Sequence, residues 1–213
     1  MSLKCLELKN STKTCSRLIF ILHGYGADAN DLHPIATYWQ RFLPDTFFCL
    51  PNAPNICQVN SGGFEWFDLL QTNEEKIINE SLVSLKKLED TINKKINILG
   101  LDYEKLILVG FSQGTMMSIQ YAIRQNNEIG GVLGYSGKIY NYNILEKELR
   151  SKPKMKFLHG NIDEIVPVEE MQKSVDFLKK KQFNVNYQVY ENLGHSISHD
   201  GMSAGLSFIK NVI

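Results

Sequence analysis

Residues 106–114 read Leu106-Ile107-Leu108-Val109-Gly110-Phe111-Ser112-Gln113-Gly114, an apolar run that leads straight into Gly-x-Ser-x-Gly. Four β-prone residues followed by a serine with glycine two positions before and two after predict a buried strand ending on a sharp strand-to-helix turn. Side chains at the glycine positions would collide with the neighbouring strand and helix, and the turn pushes the Ser112 hydroxyl out of the sheet. The pentapeptide alone is weak evidence, because a Gly-rich phosphate cradle or an ordinary strand-to-helix turn has the same look. Its surroundings strengthen it: over 115–123, Met116, Ile119, Ala122 and Ile123 share one helical face.

Working outward, periodicity predicts strands at 3–8, 17–22, 46–50, 105–110, 130–135, 155–159 and 185–190. Helical spacing runs through 74–97, where Ile78, Leu82, Leu85, Leu88, Ile92 and Ile96 recur at threes and fours before a stop at Gly100. Further helices fit 114–126, 168–181 and 200–212. Strands alternating with helices, several of them apolar on both faces, predict an α/β fold with a mostly parallel sheet and helices on both faces, in which the first strand pair can run antiparallel. The longest irregular stretch is 51–73, and a loop of that length inside a compact domain is usually functional.

With 213 residues the chain suits a single domain over 1–213. Lys plus Arg and Asp plus Glu number 23 each, so no global field favours nucleic acid or an anionic membrane surface. The N-terminal residues lack a signal-peptide pattern and no stretch approaches the ~18 apolar residues of a membrane span, which predicts a cytoplasmic protein. Cys5, Cys15, Cys49 and Cys57 match no zinc or redox spacing. Cys5 and Cys49 fall in strands as buried thiols, whereas Cys15 and Cys57 fall in loops where oxidation could reach them.

A serine hydroxyl needs an adjacent base, and the base needs an acid to hold its tautomer. In sheet enzymes with this turn, the acid and then the histidine follow the serine in sequence. His195 follows the strand at 185–190, where a side chain emerges at the same sheet edge as Ser112; His199, four residues later, is the alternative. Asp163 follows the strand at 155–159 and is the best-placed acid, ahead of its neighbour Glu164 and of Asp176 within a helix. Acyl transfer also needs donors for the developing oxyanion. The Gln113 N–H at the helix start supplies one, and the Tyr25 N–H in His23-Gly24-Tyr25-Gly26 supplies the second. No metal or cofactor is called for.

Assembled in order, LHGYGAD at 22–28, LPNAPN at 50–55, GGFEWFD at 62–68, GFSQG at 110–114, HGNIDEIVP at 159–167 and YENLGH at 190–195 closely resemble the acyl-protein thioesterase and phospholipase/carboxylesterase family of small α/β-hydrolases. The resemblance covers nearly the whole chain and implies a Ser112–Asp163–His195 triad with Tyr25 and Gln113 at the oxyanion. Tyr25 stands where the family commonly has leucine, Thr115 where glycine is frequent, and Asn161 in place of a frequent aspartate. None of these removes a catalytic group.

Only about twenty residues separate the strands ending near Gly137 and beginning near Lys156, too few for a helical cap domain, so the site should be open. Its walls then come from loops: from 51–73 with Phe64, Trp66 and Phe67, and from Ile165 and Val166 beside the acid. An apolar groove beside an exposed serine suits a medium or long acyl chain on an alcohol or thiol. The substrate class is therefore an acyl ester or thioester, small-molecule or lipid-like, and the same apolar rim suits a homodimer. The alternative, a non-catalytic binding protein on this fold, would be expected to lack a member of the triad.

Overall fold

The computed structural model describes residues 2–9, 12 and 14–212; the end residues of the expected 1–213 domain lie outside it. In chain order the elements are β1 (Cys5–Leu8), β2 (Arg17–Leu22), α1 (Ala29–Gln40), β3 (Thr46–Pro51), β4 (Asn55–Ile56), β5 (Phe64–Glu65), α2 (Glu74–Leu99), β6 (Leu106–Phe111), α3 (Gln113–Arg124), β7 (Gly131–Tyr135), α4 (Tyr142–Lys147), β8 (Met155–Gly160), α5 (Val168–Lys180), β9 (Val185–Tyr190) and α6 (His199–Val212).

Among the described residues seven strands form one sheet in the order β1-β3-β2-β6-β7-β8-β9. Every pairing from β3 to β9 is parallel, and β1 alone runs antiparallel, against β3. Period-two alternation in the central strands divides the core. Leu18, Phe20, Leu22, Leu106 and Leu108 pack towards α2, α3 and α5, while Ile19, Ile21, Ile107 and Val109 pack towards α1 and α6. Strands buried on both faces must be apolar at every position, which is why they read as continuous runs. No helix among the described residues is long and apolar enough to cross a membrane.

Helix α2 is capped as its sequence implies. The Asn73 side chain accepts from the Lys76 N–H, and Gly100 takes the left-handed conformation, φ 63°. No helix is expected over 29–40 from the sequence, yet α1 is there despite Pro34. Asp28 caps its N-terminus and Asp31 reaches back to the Asp28 N–H, while Leu32, Ile35, Ala36 and Trp39 bury one face. The short α4 also lies outside the predicted helices, and β4 and β5 form a two-stranded hairpin inside the stretch expected to be irregular. Cys57 departs from expectation: it is buried rather than open to oxidation.

Candidate active site

Because β2, β6, β8 and β9 are parallel members of one sheet, the loops that follow them open at one edge, where functional groups of such sheets gather. Those four loops carry Tyr25, Ser112, Asp163 and His195.

Ser112 sits between β6 and α3 at φ 54°, ψ −115°, a conformation that costs a non-glycine residue about 1–3 kcal/mol and persists only where its surroundings enforce it. Three hydrogen bonds and two close approaches do so. The Ser112 N–H donates to the Tyr135 carbonyl at 2.9 Å, and the Ser112 carbonyl accepts from Thr115 and Met116 at 3.0 and 3.3 Å. A Cβ at Gly110 would overlap the Gly114–Thr115 backbone, and one at Gly114 would overlap the Leu22 carbonyl, so both glycines are required for α3 to start this close to β2 and β6. Thr115 fits for a related reason: its side chain fills the space that the missing Cβ atoms of Gly134 and Gly137 leave, and its hydroxyl lies 2.8 Å from the Gly110 carbonyl and 3.0 Å from that of Tyr135.

His195 and Asp163 are joined. His195 Nδ1 lies 2.8 and 3.0 Å from the two Asp163 carboxylate oxygens, which assigns the proton to Nδ1 and leaves Nε2 as the basic lone pair. Burial alone would raise the Asp163 carboxyl. Hydrogen bonds from the Val166 N–H at 2.9 Å, from His195 and from the Ile165 N–H at 3.0 Å outweigh it and hold the group below the usual carboxylate range. The alternatives are placed elsewhere: Glu164 and Asp176 are exposed, and the His199 ring packs edge-on against Tyr38 at the start of α6.

His159 is a site residue that sequence reasoning missed. Its fully buried Nε2 lies 2.7 Å from the Val166 carbonyl and 3.3 Å from Asp163. A carbonyl accepts only from a donor, so Nε2 carries the proton and Nδ1, which has no partner among the described residues, is bare. Burial outweighs the Val166 carbonyl and Asp163 and keeps the ring neutral, with its pKa depressed. The signal was available in the spacing: His159 and Asp163 lie four residues apart across the end of β8, where a turn folds one onto the other.

The loop after β2 is held by the 51–73 segment. Gly26 N–H donates to the Phe64 carbonyl at 2.9 Å, the Phe64 N–H to Ala27 at 2.8 Å, and the Asn60 amide to the Gly26 carbonyl at 2.7 Å. A side chain at Gly63 would overlap the Gly26 carbonyl. His23 Nδ1–H donates to the Gly24 carbonyl at 2.7 Å, while its Nε2 accepts from the Ala53 N–H at 2.9 Å. Burial depresses the His23 pKa, so the ring holds both bonds as the neutral tautomer.

Trp66 therefore departs from its expected role. It is 0% exposed and lies outside the cavity that contains Ser112, and its indole N–H donates to the His23 carbonyl at 3.0 Å. Its backbone N–H and the Phe67 carbonyl clasp the Gln113 side-chain amide at 3.0 and 2.7 Å. The aromatic side chains of this segment anchor the loop after β2 and the start of α3 instead of lining a groove, and Phe67 too is fully buried against Tyr140. Gln113, first residue of α3, has a backbone N–H with no acceptor inside the helix.

A cavity of about 370 Å³ contains Ser112, Tyr25 and His195, with Leu69, Met116, Ile165 and Val166 among its walls. Ile165, expected there, is 71% exposed at its rim. Leu69 and Met116 carried no distinguishing sequence signal, because an apolar residue beside a helix start or in a loop is ordinarily core. A strained serine, an imidazole held through Nδ1 on a buried carboxylate, and that carboxylate, all at one sheet edge, are the parts that acyl transfer requires.

Residues 3–213 match the family model for phospholipase/carboxylesterase. The chain belongs to this family. Acyl-protein thioesterase 1 of Saccharomyces cerevisiae is 30% identical over 220 residues, covering 96% of this chain and 96% of that protein. A probable carboxylesterase of Arabidopsis thaliana, SOBER1-like, is 28% identical, covering 95% of this chain and 81% of its own length. The crystal structure of esterase PE8 superposes with a TM-score of 0.94 at 30% identity over all of both chains. Arabidopsis thaliana SOBER1, 24% identical and covering 92% of this chain and 98% of its own, has the same fold with a TM-score of 0.81. As a phospholipase/carboxylesterase family member the protein is a carboxylic ester hydrolase with an α/β-hydrolase fold, and the described residues form no separate cap.

Proposed function

We propose that the protein is a serine hydrolase of acyl esters and thioesters, in which Ser112 is the nucleophile, His195 the general base and Asp163 its orienting acid. The observation that carries this is the convergence of the strained Ser112 and the Asp163-bound His195 on one cavity. Ser112 Oγ attacks the acyl carbonyl carbon while His195 Nε2 takes the hydroxyl proton. The oxyanion is held by the Tyr25 and Gln113 N–H groups, the second of them at the positive end of α3. Collapse of the tetrahedral intermediate breaks the bond to the leaving oxygen or sulfur, which receives the proton from His195. Water, deprotonated by the same ring, then attacks the acyl-enzyme and releases the carboxylic acid.

The walls supplied by Leu69, Met116, Ile165 and Val166 suit an acyl chain, and 370 Å³ falls within the ~300–1,000 Å³ of small-molecule sites. The name acyl-protein thioesterase carried by relatives supports adding thioesters to oxygen esters as substrates, and this role suits a cytoplasmic protein acting on lipid-like acyl groups. Ser112→Ala should abolish turnover of p-nitrophenyl and acyl-thioester substrates while melting as the parent does. Residual turnover above about one part in a thousand of the parent would contradict the assignment.

A further inference from the structure

A second cavity, of about 380 Å³, meets the first at His195. The two share Gly24, Ala27, Phe111 and His195, and the Phe111 ring packs on the His195 imidazole with centroids 4.8 Å apart. From this common wall the second cavity extends away from Ser112, between α1 and the start of α6, along Leu32, Ile35, Ile197 and Met202. It includes neither Ser112 nor Tyr25.

Hydrolysis at Ser112 divides a substrate into an acyl half, whose carbonyl must face Ser112 and the loop after β2, and a leaving half, which must be protonated by His195. Only the first cavity can seat the carbonyl, because only there do Ser112 and Tyr25 form walls. His195 belongs to both. We propose that the second cavity is a leaving-group subsite that selects apolar alcohols or thiols of moderate size. This deepens the hydrolase function proposed above and rests on it.

The lining fits that class. Leu32 and Ile35 are buried with their apolar faces forming the floor, and Ile197 and Met202 are half-buried walls. His23, which also borders the cavity, is neutral, and its two ring nitrogens are both engaged, so it offers an incoming group neither charge nor a free bond. Asp31 stands at the exposed edge, one carboxylate oxygen already taken by the Asp28 N–H.

The test uses the intact chain and butyrate esters of methanol, hexan-1-ol and 2-phenylethanol, so that the acyl-enzyme is common and kcat/KM reports the acylation step in which the leaving group differs. Met202→Trp and Ile197→Trp, each narrowing the cavity from a half-buried wall, should lower the hexyl-to-methyl ratio of kcat/KM about tenfold or more. The ratio of methyl octanoate to methyl butyrate should hold within about twofold. Ile197→Ala, which enlarges the cavity without crowding the fold, should raise the 2-phenylethyl-to-methyl ratio. Leaving-group ratios that do not move, or that fall only in step with the acyl-length ratio, overturn the subsite. If the unaltered protein hydrolyses none of these esters, the hydrolase function itself fails, an outcome visible before any variant is made.

Discussion

At the scale of single residues, the site depends on groups whose value lies in what they permit or hold. Gly110→Ala would drive a Cβ into the backbone of Gly114 and Thr115, atoms that cannot swing aside as a side chain can. A loss of about 3 kcal/mol or more is expected by chemical denaturation, as for overpacking in a rigid core. Asp163→Asn should lower kcat about 10⁴-fold, because an amide no longer fixes the proton on His195 Nδ1. Steady-state kinetics beside a melting curve separates this from unfolding; a loss of less than about tenfold would remove Asp163 from the mechanism. Ser112, Asp163 and His195 were legible as candidates because each follows a recognisable strand. His159 was not, since a histidine within a strand looks like core until the turn at 160–163 brings it onto the acid.

At the scale of elements, the 51–73 segment works as a brace for the loop after β2. Replacing Trp66 with Phe removes the indole N–H that meets the His23 carbonyl and leaves that buried acceptor unpaired, at a cost of about 1–3 kcal/mol. The variant should lose kcat more than it raises KM, because what it disturbs is the placement of the Tyr25 N–H and not the acyl walls. A change confined to KM would instead make Trp66 a substrate contact. The major strands and α2, α3, α5 and α6 were legible from their periodicity. Helix α1 was not: Pro34 within it reads as a breaker, although the Asp28–Asp31 cap and the spacing of Leu32, Ile35 and Trp39 favour a helix. Helix α4, six residues with Leu145 alone buried, is too short for a period to show. The role of Trp66 was also hidden, because an aromatic pair in a long loop suits a pocket wall and a core anchor equally, and only burial distinguishes them.

At the scale of the whole molecule, one mostly parallel sheet places Ser112, Asp163, His195 and the loop carrying Tyr25 at a common edge, and two buried neutral histidines support that edge. His23 and His159 both have depressed pKa values in the fold, so the unfolded chain binds more protons as pH falls. Their stabilising contribution is fully present above the unfolded histidine value of about 6.5 and is lost as pH falls from there through the lower folded values. The lowered Asp163 carboxyl adds a further loss below about pH 4. Thermal melts between pH 8 and 5 should show the melting temperature falling on the acid side, with a shallower slope in His23→Gln and His159→Gln; a flat profile would contradict the neutral assignments. The strand order itself lies beyond single-sequence periodicity, since parallel neighbours are separated by whole helices and no local pattern records which strand lies beside which.

The central claim, that Ser112 forms an acyl-enzyme, is tested most directly by quenching the protein during turnover of a slowly released acyl ester and measuring its intact mass, with peptide mapping. A mass increase of one acyl group per chain, on the peptide containing Gly110-Phe111-Ser112-Gln113-Gly114 and absent from Ser112→Ala, is the predicted result. Turnover without any covalent adduct, or an adduct on another residue that persists in Ser112→Ala, would contradict it.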